Sequence, residues 1–214
     1  MDSVSICNLA LNMLGIPHIT SFDDTNNNAQ LCKRFYPVVR DRVLRDHLWS
    51  FATTSTELQK LSGSACDPDF QYVCSLPGNL IRIVSLFPDV PFRKVGRTLL
   101  VDTFPVTLLY IQKVDDPTLF DETFTEALQY ALAAEIASAS TQDIQKVNFY
   151  RSEYTRVLAL ARSIDSQENS HAYQSPERSS SFLSARGRPI SPRRNSGKIN
   201  FVEGNAGKQI NGNG

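Results

Sequence analysis

The sequence has little of what most catalytic and membrane proteins advertise. No apolar run approaches the roughly 20 residues needed to cross a bilayer. No GxxxxGK[ST], GxGxxG, HExxH or GxSxG occurs, so no phosphate-cradling loop, zincin helix or nucleophile elbow is written into the chain. There are four cysteines, Cys7, Cys32, Cys66 and Cys74, with neither CxxC spacing nor a paired framework. Three scattered histidines, His18, His47 and His171, do not complete a metal pattern with them. Free thiols in a reducing compartment are expected, and no metal or other cofactor. There is one tryptophan, and the net charge is zero. The first residues, "MDSVSICNLALNMLG", carry an acid where a signal peptide carries basic residues, and their apolar positions are periodic; secretion is not expected.

The zero net charge hides an asymmetry. From residue 169 to the end there are seven basic and two acidic residues, a net of +5, which leaves −5 on the first 168. That basic segment is rich in Ser, Gly, Asn and Arg, with isolated apolar residues, and it cannot bury enough surface of its own to offset the entropy of ordering. An extended C-terminal arm is therefore expected over 169–214. Its candidate partner-binding residues are Arg178, Phe182, Leu183, Arg186, Arg188, Ile190, Arg193, Arg194, Lys198 and Phe201. Arg and Lys set among Ser, Gly and Pro can track phosphates. The aromatic interleaving of a stacking platform is missing, since only Phe182 and Phe201 flank the basic run.

The body reads as helix, helix, strands, helix, helix. Ser3 is positioned to cap a first helix that Gly15 and Pro17 end. A second starts near Thr25 to Asn27, where Asn27 and Gln30 have capping-box spacing. Its apolar stripe is Leu31, Phe35, Val38, Val39, Val43, Leu44 and Leu48, with most charges on other faces. Pro37 removes one backbone hydrogen bond and should bend that helix without ending it. Trp49 and Phe51 close the segment "KRFYPVVRDRVLRDHLWSFA" and are expected to plug the junction with the next unit. Three to five short antiparallel strands follow, with turns at "SLPGNL" and "VGRTL". Two more helices return from Pro117, the first rich in alanine.

The expected fold is mainly α. It is a four-helix bundle with a small antiparallel β insertion between helices 2 and 3, and the extended tail. Helices 1 and 2 occupy 1–51, the β-rich insertion 52–116, helices 3 and 4 117–168, and the arm 169–214. The expected junction residues are Pro37, Trp49 and Phe51. Acid pairs at Asp23–Asp24 and Asp115–Asp116 precede helices, where they are expected to act as caps. They also leave open a hydrolase of envelope glycans.

The layout resembles the head-to-tail adaptors of short-tailed bacteriophages, the tail tubular protein A family. The resemblance runs through "ICNLALNMLGIPHITSFDD", "NNAQLCKRFYPVVRDRVLRDHLWSFA", "YVCSLPGNLIRIVSL", "GRTLLVD" and "LLYIQKVDDPTLFDETFTEALQYALAAEIA", in that order. Arg34, Phe35, Tyr36, Val39, Arg40, Leu44, Trp49 and Phe51 match the family's second-helix pattern. The resemblance covers most of the first 168 residues and none of the arm. It implies a non-enzymatic virion protein at the head–tail junction, with no catalytic residues. It also implies a dodecameric ring beneath the portal that continues the DNA channel and supports the tail nozzle. Portal, nozzle and neighbouring copies are the expected partners, with genomic DNA passing through unbound and no membrane contact. An acidic body suits such a channel, because a basic lining would hold phosphates. The competing reading is a DNA-retaining tail protein that binds through the basic arm.

Overall fold

A computed structural model describes residues 1–62, 67–140 and 143–168. The first helix, α1 (Ser3–Leu14), is capped by Asp2 rather than Ser3, the Asp2 carboxylate accepting the Ser5 amide at 2.8 Å. Gly15 ends it in the left-handed region at φ 69, and the Ile16 amide reaches back to the Leu11 carbonyl at 3.0 Å. A Cβ on Gly15 would meet nothing within 4 Å, so only the backbone resists substitution there. Gly15→Ala should therefore cost about 1 kcal/mol. It should appear in urea unfolding as a lowered midpoint at unchanged slope. Past the cap, the Asn8 side chain holds the loop by exchanging two 2.9 Å hydrogen bonds with the Ile19 backbone.

Helix α2 (Asn27–Asp46) is capped by Asn26, which accepts the Ala29 amide at 2.7 Å. The capping box expected from Asn27 and Gln30 does not form, because the cap lies one residue earlier and Gln30 reaches the Asp24 carbonyl instead. The helix continues through Pro37, which is exposed. Its buried face is Leu31, Cys32, Tyr36, Val39, Arg40, Val43 and Leu44. Val38, expected on that face, is 66% exposed, and Leu48 is 41% exposed.

Seven strands follow: β1 (Thr53–Glu57), β2 (Gln59–Lys60), β3 (Tyr72–Ser75), β4 (Leu80–Phe87), β5 (Phe92–Val95), β6 (Thr98–Val101) and β7 (Thr107–Gln112). They form two antiparallel sheets, ordered β1-β7-β4 and β2-β3-β6-β5. The first is built around β7, whose Ile111 faces Thr53 on one side and Arg82 on the other. Alternate β7 side chains go to different cores. Ile111 belongs to the helical core, with Ile81 and Val84 of β4 packed against it. Leu108 and Tyr110 join Leu86 of β4 and Cys74, Leu99 and Val101 of the second sheet in a separate core.

The last two helices complete the helical layer. Asp121 accepts the Phe124 amide at 2.5 Å to start α3 (Glu122–Ser140), and α4 (Ile144–Glu168) follows. Helix α3 packs against α1, α2 and α4, which its alanines permit: Ala127, Ala131, Ala133, Ala134 and Ala137 are all buried. Small side chains let neighbouring helix axes approach on several sides. Tyr150 of α4 donates to the Met13 carbonyl, and Tyr154 donates to Asp46 Oδ2 at 2.6 Å.

The expectation of a mainly α four-helix bundle with a small β insertion is therefore corrected. The described chain has four helices and seven strands in two antiparallel sheets, 49% helix and 21% strand, and is mixed α/β. The physical reason lies in β7 and β4. A sheet apolar on both faces must be covered on both, so the first sheet is a shared wall between two cores rather than an appendage on a finished bundle.

Candidate functional site

The most elaborately built region is the joint where α2 gives way to β1. Helix α2 ends at Asp46 without a glycine, so its last-turn carbonyls need partners from elsewhere. The chain supplies three. Trp49 Nε1 donates to the Val43 carbonyl at 2.8 Å, Arg82 Nη1 of β4 to the Arg45 carbonyl at 2.8 Å, and Arg162 Nη2 of α4 to the Asp46 carbonyl at 3.3 Å. Two of these donors are guanidinium groups, which also suit the negative end of the helix dipole.

Trp49 is 1% exposed and is the largest fully buried side chain. Its ring meets His47 edge-on at 4.7 Å and Phe124 at 5.1 Å. Phe51 stacks into the same group, 5.1 Å from Phe124 and 5.7 Å from Phe120. The Trp49 carbonyl in turn accepts the Thr53 hydroxyl at 2.7 Å, fixing the first residue of β1. One aromatic cluster thus pins α2, α3 and the start of the first sheet. Of the three expected junction residues, the structure brings Trp49 and Phe51 together. Pro37 lies mid-helix, exposed and apart from them.

Sequence reasoning missed Arg40. It lies on the buried face of α2 and not with the charges on the other faces, and its side chain is 5% exposed. Its guanidinium bridges Asp41 Oδ1 and Asp115 Oδ1, each at 2.7 Å, and lies over the Tyr36 ring at 5.9 Å. Asp115 is in the segment between β7 and α3, so this pair is a second clasp between the first sheet's exit and α2. The signal was the four-residue step from Tyr36 through Arg40 to Leu44, which puts all three on one face.

The acid pairs have structural partners. Asp23 pairs with Lys33 Nζ at 2.8 Å. Asp24 accepts the Thr20 and Ser21 amides and shapes the loop, while Asn26 caps α2. Asp115 binds Arg40. Asp116 accepts the Thr118 amide at 2.9 Å and caps the single 3-10 turn Pro117–Leu119. The hydrogen bond from Lys33 holds Asp23 below the usual carboxylate range, and the bonds from Thr118 do the same for Asp116. What these two contribute to stability is present above the ordinary carboxylate pKa and fades as pH falls through the lowered one. A general acid for glycan cleavage needs the opposite shift.

Clefts open on the surface among the described residues, two of them partly apolar. One, of about 580 Å³, lies on the second sheet and is lined by Val73, Val95, Leu100 and Pro68, with an Arg93–Asp67 ion pair at its edge. The other, of about 310 Å³, includes Met1, Phe120, Glu122 and Gln129 beside the start of α3. Among the described residues, no three His, Cys, Asp or Glu come together as a metal site, and no helix is long and apolar enough to cross a membrane. The expected arm residues, Arg178, Phe182, Leu183, Arg186, Arg188, Ile190, Arg193, Arg194, Lys198 and Phe201, lie outside the described residues. No protein-family model matches the chain, and no curated protein matches it.

Proposed function

We propose that this chain is a structural subunit of a short-tailed phage virion, an adaptor ring protein between portal and tail. The observation that carries the reading is the ordered run of residue patterns from Ile6 to Ala137, to which Trp49, Phe51 and Arg40 all belong. Those three belong to the clasp between the helical layer and the first sheet, a joint of the kind a ring under mechanical load needs. The mixed α/β architecture replaces the bundle that the resemblance implied, so the reading rests on the residue patterns. The body's net charge of −5 suits a wall along which DNA slides. On this reading the +5 arm docks on portal or on a neighbouring copy, and the nozzle attaches below.

A second reading is favoured by that same arm charge: residues 169–214 bind DNA and help retain the genome. One experiment separates the two. The purified protein is mixed with the portal of its own virus or with duplex DNA, its mass is followed by sedimentation, and each mixture is sampled by limited proteolysis. The adaptor reading expects a ring-sized complex with portal, and cleavage between Arg186 and Lys198 suppressed there. Protection by DNA alone, lost with added salt, would support the retention reading. A protein that stays monomeric and never associates with portal would overturn the adaptor proposal.

A further inference from the structure

Two faces of the helical layer carry exposed apolar side chains together with charge of opposite sign. The first is the outer side of α2. Arg34, Val38, Asp41 and Arg45 recur at helical steps of four, three and four residues, so they form one stripe opposite the buried face. Val38 is 66% exposed, and Pro37 beside it is exposed too. Asp41 is taken up by Arg40 at 2.7 Å. Neither the Arg34 nor the Arg45 guanidinium has a partner among the described residues. The free charge on this stripe is therefore positive.

The second face is the cleft of about 310 Å³ beside the start of α3, where Met1, Pro117 and Phe120 meet Glu122 and Glu126. Met1 is 63% exposed, and Leu119, between the lining residues Thr118 and Phe120, is 58% exposed. The Glu122 carboxylate has no partner among the described residues. Glu126 meets Arg156 only at 3.8 Å, and Glu153 holds that guanidinium closer, at 2.8 Å. Asp2 and Asp116, the sequence neighbours of Met1 and Pro117, add negative charge. Helix α2 packs on α3 through its buried face, so its outer stripe points away from α3 and cannot fill this cleft in the same chain.

We propose that the α2 stripe of one copy seats against the α3 cleft of a second copy, with Arg34 and Arg45 meeting Glu122 and Glu126 around Val38 and Phe120. Charge selects the orientation, because stripe on stripe or cleft on cleft would set like charges together. The two faces share no residue, so the contact is heterologous. Each copy added leaves one stripe and one cleft free, and repetition gives a ring where the rotation closes. The inference rests on the adaptor reading for that ring and names the faces that build it.

The test uses the full chain without portal, its mass followed by sedimentation over a concentration series. The parent chain is expected to self-associate, and to do so less as added salt screens the charges. Arg34→Glu with Arg45→Glu makes both faces acidic; Glu122→Lys with Glu126→Lys makes both basic. All four side chains lie at the surface, so each variant should keep the parent's circular dichroism spectrum. Each alone should associate about tenfold or more weakly than the parent. Mixed in equal amounts, the two should recover the parent's association, because every contact between them joins opposite charges. A mixture no better associated than either variant would overturn the pairing, and so would parent association indifferent to salt. Weakening in the glutamate variant alone would mean that the cleft takes some other basic segment, and would overturn it too. So would a chain monomeric at every concentration; a ring-sized complex formed on portal would then leave the adaptor reading standing.

Discussion

Trp49→Ala is expected to lower the unfolding free energy by about 3–5 kcal/mol, a large part of what holds an ordinary domain folded. The melting temperature should fall by on the order of 10 °C, read by circular dichroism. Three losses coincide at this site. The cavity is that of an indole 1% exposed, with no solvent to refill it. The edge-on contacts with His47 at 4.7 Å and Phe124 at 5.1 Å disappear. The Val43 carbonyl, inside the protein near the end of α2, loses the indole N–H that donates to it. Trp49→Phe separates the terms. It keeps most of the ring packing and removes the indole N–H, so its cost should be about 1–3 kcal/mol. If the alanine and phenylalanine variants melt together, hydrogen bonding at the helix end dominates. If phenylalanine is nearly silent, packing does, and water or a neighbour satisfies Val43.

The same joint marks what was readable in the sequence. Gly15, then Pro17, announced the end of α1, because a left-handed cap favours glycine and proline cannot continue a helix. The alanines of α3 announced a helix packed on several sides. Trp49 and Phe51 announced a plugged junction, though not its hydrogen bonds, since the orphan carbonyls of α2 exist only once the helix is known to stop at Asp46. The number of sheets was harder. Thr53–Glu57, "TTSTE", has no apolar side chain, and its pairing with β7 is set by the partner's needs rather than by its own pattern. The continuous apolar run in "TLLYI" was the clue to a sheet covered on both sides. Reading 52–116 as a small insertion of three to five short strands is what led to a bundle in place of a mixed α/β fold.

Asp41→Ala combined with Asp115→Ala should cost about 3–5 kcal/mol, and more than the two single changes added together. The reason is an asymmetry of burial. Arg40 is 5% exposed, whereas Asp41 and Asp115 are 39% and 68% exposed. A partly solvated carboxylate loses little when its partner goes, but a buried guanidinium left without any carboxylate keeps its full desolvation cost. Either aspartate alone still compensates it, so each single change should cost about 1 kcal/mol or less, as for partly exposed pairs. A positive coupling between the two sites in a double-mutant cycle is the expected signature. Strict additivity would show that water, not the carboxylates, solvates Arg40. Arg40→Met removes the charge itself while filling much of the same volume, and should be better tolerated than the double alanine variant. If methionine instead proves the worse of the two, the guanidinium matters for what it ties together, the exit of β7 and the face of α2, more than for the charge it carries.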